Sequence, residues 1–240
     1  MLAPMPRAVR RPRTPARRPA QRVAGPLAAL ILTMGTAGCA GLGQPAPYDS
    51  AGINGLEIPT PSPAPADFVD GIDNPWLALA PDASWRYEVS RDGESVGSIE
   101  AEVLDATTEV AGVATTAVRT VTDIDGAAEV ETRYYAQDDA GNVWLLRLDS
   151  DVELSWTTGA AGAEAGLAMP ARPRVGDGWL AFRVPNILEA RTRVEDQSRE
   201  MVQTRDEADT TTRNIFESGV GLVSVEDLDM GWQAVLVRQP

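Results

Sequence analysis

Between residues 84 and 136 the chain is written largely in period two, and no other feature limits its fold so tightly. In SWRYEVS (84–90), Trp85, Tyr87 and Val89 share one face while Arg86 and Glu88 take the other. In SIEAEVL (98–104), Ile99, Ala101 and Val103 oppose Glu100 and Glu102. In VETRYYA (130–136), Val130, Thr132, Tyr134 and Ala136 face away from Glu131, Arg133 and Tyr135. Alternation with one polar face is the pattern of half-buried antiparallel strands. Turn-forming pairs separate the runs: Asp92-Gly93, Ala111-Gly112, Asp125-Gly126, and DDAGN at 138–142. VWLLRLD (143–149) is apolar on both faces apart from Arg147 and reads as the most buried strand of this half.

The expected fold is therefore mainly β, an antiparallel meander forming a curved sheet, half-barrel or sandwich. NILEARTRVEDQSREM (186–201) has no clean helical stripe and fits a helix or a strand. A gapless alignment of 132–149 with 212–229 matches at six positions, including Arg133 with Arg213. Each half also opens on a Pro-containing approach to a tryptophan strand, APDASWRYEV and PARPRVGDGWLAFRV. Duplicated halves, 68–156 and 173–240, and shared hairpin chemistry both account for this. Between them TTGAAGAEAGLAMPARPR (157–174) reads as a long small-residue loop, a type that is often functional or mobile.

Ahead of this domain lies a different texture. The first 22 residues hold seven arginines and no acid, and Val23–Gly38 is apolar but too short to span a bilayer as a helix. That combination is a secretory signal peptide, residues 1–38. Its small residues end on Cys39, the chain's single cysteine. Thr36-Ala37-Gly38-Cys39 resembles the lipobox of bacterial lipoproteins, with Thr36 where that family usually has Leu. The resemblance implies cleavage before Cys39, acyl chains on its sulfur and a lipid anchor on the extracytoplasmic face of a cell membrane. General secretion is favoured over the twin-arginine route, because no apolar residues closely follow Arg10-Arg11 or Arg17-Arg18. Residues 39–67, rich in Pro, Gly, Ala and Ser, then read as a tether of roughly 30 Å.

Composition removes whole classes of chemistry. There is no histidine, and all 21 basic residues are arginine. The common general bases, imine-forming nucleophiles and zinc or copper ligands are thus missing. Beyond the signal peptide 14 arginines face 35 acids, a net charge of −21, which opposes nucleic acid and anionic headgroups. No cofactor or metal is expected. DDAGN and TDIDGA (122–127) lack the spacing of a calcium loop and read as hairpin turns.

Four segments, NPWLALAPDASWRYEV (74–89), YYAQDDAGNVW (134–144), AMPARPRVGDGW (168–179) and GVGLVSVED (219–227), resemble a widespread group of exported bacterial proteins with no assigned activity. The resemblance covers most of 68–238 and implies no catalytic residues. In architecture alone the expected sheet is similar to the curved half-barrels of lipoprotein carriers. Three functions follow: a non-catalytic binding or structural role at the envelope, carriage of a lipid-like molecule, and a hydrolase running on paired carboxylates. The partners expected are the membrane, through Cys39, and a lipid-like ligand or an envelope protein. Most of the 13 aromatic residues are needed for the core. Tyr135, on a charged strand face, and Trp156, beside the long loop, are the exceptions. With Leu167 and Met169 they form the candidate ligand site.

Overall fold

The computed structural model of the protein describes residues 56–58, 64–152 and 154–237; Cys39, the leader and most of the expected tether lie outside them. The described chain is mainly strand: β1 (Leu56–Ile58), β2 (Phe68–Val69), β3 (Ser84–Arg91), β4 (Glu94–Val103), β5 (Thr108–Val110), β6 (Val113–Ile124), β7 (Ala127–Asp138) and β8 (Val143–Ser150). Then follow β9 (Trp156–Thr157), β10 (Gly166–Met169), β11 (Asp177–Val184), β12 (Leu188–Gln197), β13 (Met201–Glu207), β14 (Thr211–Glu217), β15 (Gly221–Asp227) and β16 (Trp232–Leu236). Two single-turn 3-10 helices, Pro65–Asp67 and Ala160–Gly162, complete the regular structure among the described residues.

The predicted turns account for the meander. Asp92-Gly93, Ala111-Gly112 and Asp125-Gly126 all have positive φ at both positions. That conformation matches the right-handed twist of the flanking strands, and glycine adopts it without steric cost. Strand follows neighbouring strand through the order β11-β12-β13-β14-β15-β16-β3-β4-β6-β7-β8-β10. The first long strand meets the last one, with Val89 opposite Ala234. β10 returns to β11 through the antiparallel bridge Glu164–Arg183, so twelve strands make a nearly closed barrel. At this seam the backbones touch: a Cβ on Gly166 would stand 1.4 Å from the Ala181 carbonyl oxygen.

The segment 186–201, open between helix and strand, is strand β12 with its flanking turns and the first residue of β13. Residues 157–174 are not one long loop, since they hold the end of β9, a 3-10 turn and β10. Leu167 and Met169 pair with Trp144 and Val143 there, and backbone hydrogen bonding fixes what small side chains alone would leave loose. Residues 56–58, within the expected tether, lie parallel to β11 at Asp177–Trp179.

One end of the barrel is plugged. The strands β4, β7, β10, β12, β14 and β16 all end there, and Ile72–Leu79 crosses over that end. Asn74, 2% exposed, donates through Nδ2 to the Gly141 and Pro170 carbonyls and accepts the Trp76 N–H on Oδ1. Gln137 Oε1 accepts the Asp73 and Asn74 N–H groups. On another wall, Gly219 donates to the Pro75 carbonyl at 2.7 Å. Trp76 is thereby held in the main apolar core with Trp144, Trp179, Leu167, Met169 and Val202. Burying such side chains contributes roughly 1.5–3 kcal/mol each.

Candidate functional site

Barrels of eight strands fill with their own side chains, whereas larger ones leave room inside. Here the register shows where the room is. On β7, Arg133 stands between Val118 of β6 and Leu148 of β8, and all three belong to the same face. Val118 and Leu148 are 8% and 5% exposed, yet the Arg133 side chain is 45% exposed. A side chain flanked by buried neighbours keeps that much solvent only where the space ahead of it is not filled.

On the far wall Asp206 lies in register with Thr192 and Trp179, and Trp179 shares the main core with Val118. Asp206 of β13 feels the Arg133 charge, as does Tyr135. β7 and β13 are five steps apart by the shorter way round the barrel, so the interaction crosses the interior. Burial pushes the Asp206 carboxyl up to about 6, against hydrogen bonds from Thr192, Thr204 and Asn214 and against the Arg133 charge. Asn214 Nδ2 donates to Asp206 Oδ2 at 2.7 Å. Burial likewise raises the Tyr135 phenol, with Arg133 pulling it back. Glu131 holds Arg133 from its own strand at 3.0 Å and raises the guanidinium pKa above its usual value.

The opposite faces of these strands look outward. Arg193, Arg205 and Arg213 lie side by side across β12, β13 and β14, all within 4 Å of Glu195. Such exposed pairs contribute at most about 1 kcal/mol each. Arg133 and Arg213, matched in the alignment of 132–149 with 212–229, therefore differ in face: Arg133 points in, Arg213 out.

Tyr135 packs against both apolar clusters, the one that holds Trp156 and the main core that holds Leu167 and Met169. Tyr135 and Trp156 come together, packed with Leu145, Leu148 and Val184. Trp156 sits on strand β9 opposite Leu148, so it faces the interior, and its ring stacks on Phe182 at 5.2 Å between centroids. Leu167 and Met169, 5% and 1% exposed, are part of the main core.

Sequence reasoning missed Arg133, Glu131 and Asp206 as inward groups, because a charged face on an alternating strand reads as the solvent face. The one available signal was Tyr135 among those charges.

Asp138 is a turn and packing residue. Its carboxylate accepts the Asn142 N–H at 2.8 Å, the Asn142 amide at 2.9 Å and the Trp144 indole N–H at 2.8 Å. Asn142 in turn accepts the Ala171 N–H. The NPW, DDAGNVW and AMPARP motifs thus converge on the plugged end. Among the described residues no helix is long and apolar enough to cross a membrane. Comparison with protein-family models, curated proteins and solved structures finds no match to this chain.

Proposed function

We propose that the chain is a non-catalytic binding protein of the cell envelope, anchored by acyl chains on Cys39, that takes a small ligand into the unplugged half of its barrel. The observation that carries this reading is the inward, solvent-reached Arg133. A guanidinium is costly to place inside a fold unless it is paired. Here it is paired by Glu131 and opposed by Asp206, yet its side chain stays 45% exposed between buried neighbours. A plug of two or three apolar residues would give a more stable barrel, so the hollow is best understood as room for something else.

The lining also modifies the lipid-carrier alternative. Glu131, Arg133 and Asp206 put charge at the middle of the interior, where a purely apolar cargo would strand them. The apolar part of the site is the Leu148–Trp156–Phe182 side. A ligand with a polar group and an apolar body fits both.

Native mass spectrometry of the freshly purified full chain tests the reading. A retained non-covalent mass, lost in Arg133→Gln but kept in Arg86→Gln on the outer face, is the expected result. Retention that ignores Arg133, or no retained mass together with no Trp156-dependent fluorescence change on ligand addition, overturns it.

A further inference from the structure

Two cross-strand rows face one another over the hollow. The first runs Val118–Arg133–Leu148–Trp156 across β6, β7, β8 and β9. The second runs Trp179–Thr192–Asp206–Thr212 across β11, β12, β13 and β14. Each row carries one charged residue and, two strands away, one tryptophan, a separation of about 10 Å at the usual strand spacing. Trp156 and Trp179 are 5% and 1% exposed, and among the described residues neither indole N–H has an acceptor. Buried donors are almost always partnered, and an orphan costs about 1–3 kcal/mol. The same two rows therefore set opposed charges across from one another, each two strands from a buried tryptophan.

Resting on the binding reading above, we propose that the hollow receives a zwitterionic group, its anionic end against Arg133 and its ammonium end against Asp206. The apolar remainder of the ligand lies along the Trp156–Phe182 side. Charge balance selects this class. A simple anion can share Arg133 with Glu131 but carries no positive charge for Asp206, which then faces it unpaired. A simple amine meets Asp206 but must also desolvate beside Arg133. Only a dipolar group gives each wall its opposite charge, and unpaired charge in a partly dry site is the dominant penalty against the other two. Two sources share this chemistry, an aminophospholipid headgroup and a free amino acid.

Calorimetric titration of the full chain with lauric acid, dodecylamine, lauroyl-lysophosphatidylethanolamine below micelle formation, and leucine separates these. Either or both zwitterions should bind about tenfold or more tighter than lauric acid and dodecylamine. Leucine binding alone identifies a soluble dipole as the cargo, and lysolipid binding alone identifies a lipid headgroup. Arg133→Gln should weaken the zwitterion about tenfold without weakening dodecylamine, whereas Asp206→Asn should weaken it without weakening lauric acid. Arg133→Lys, which keeps the charge, should retain most of the binding and guards against a folding artefact. Equal affinity for the three dodecyl probes, or variants that weaken all of them alike, overturns the proposal. Arg133-dependent binding of a neutral hexose overturns the zwitterion while leaving the binding reading intact. Silence of every probe together with no retained mass removes both.

Discussion

Arg133 of β7 and Asp206 of β13 act on each other across the inside of the barrel, from strands five steps apart around the wall. By register each belongs to the face that carries the buried Val118 and Leu148 on one wall and Trp179 on the other. Their opposition makes the interior an ionic space in its middle and an apolar one at its plugged end.

Asp206 should leave a mark on stability against pH. Its folded pKa, about 6, lies above the ordinary carboxylate value, so the folded state binds its proton more tightly than the unfolded chain does. The resulting stabilisation is fully present below pH 4 and is lost as pH rises toward 6. Urea unfolding of Asp206→Asn and of the parent across that window should show the parent losing stability relative to the variant. Parallel curves would mean that Asp206 is not held in a desolvating place.

Asn74 ties the plug to two hairpin loops. Asn74→Ala leaves the Gly141 and Pro170 carbonyls and the Trp76 N–H without their partner. A loss of about 3 kcal/mol is expected. The urea midpoint measures it, and a loss below about 0.5 kcal/mol, typical of a surface change, would show that the plug is not locked there.

Gly166→Ala tests the seam. The added methyl would overlap the Ala181 carbonyl at 1.4 Å, and backbone cannot move aside cheaply. Destabilisation of about 3 kcal/mol or more is expected, with faster amide exchange in β10 and β11. Unchanged exchange there would mean that the two strands do not meet.

Cys39→Ala tests the anchor. Without the sulfur there is no thioether and no acyl chain, so the protein should move from the membrane fraction to the soluble one. Retention after a high-salt wash would show that Cys39 does not hold it.

Strand content and turns were legible because they are local. Period two marked β3, β4 and β7, and Asp92-Gly93 and Asp125-Gly126 form the two-residue turns their side chains favour. The apolar run at 143–148 is buried along most of its length, as its composition implies. The inside of the barrel was not legible. Whether Glu131, Arg133 and Tyr135 face water outside or a hollow within depends on how many strands close the wall, which no single strand encodes. Asp206 is remote in sequence and carries no mark of its partner. Leu167 and Met169 misled for the opposite reason, since glycine and alanine around them hid a strand inside an apparent loop.

The pairing of Ala234 with Val89 has a kinetic meaning. β16 pairs with β3 although nearly all the other strands lie between them in sequence, so the barrel cannot shut until both are available. Contacts that span so much sequence form slowly. A chain that emerges from its N-terminal side onward would thus stay open until β16 arrives.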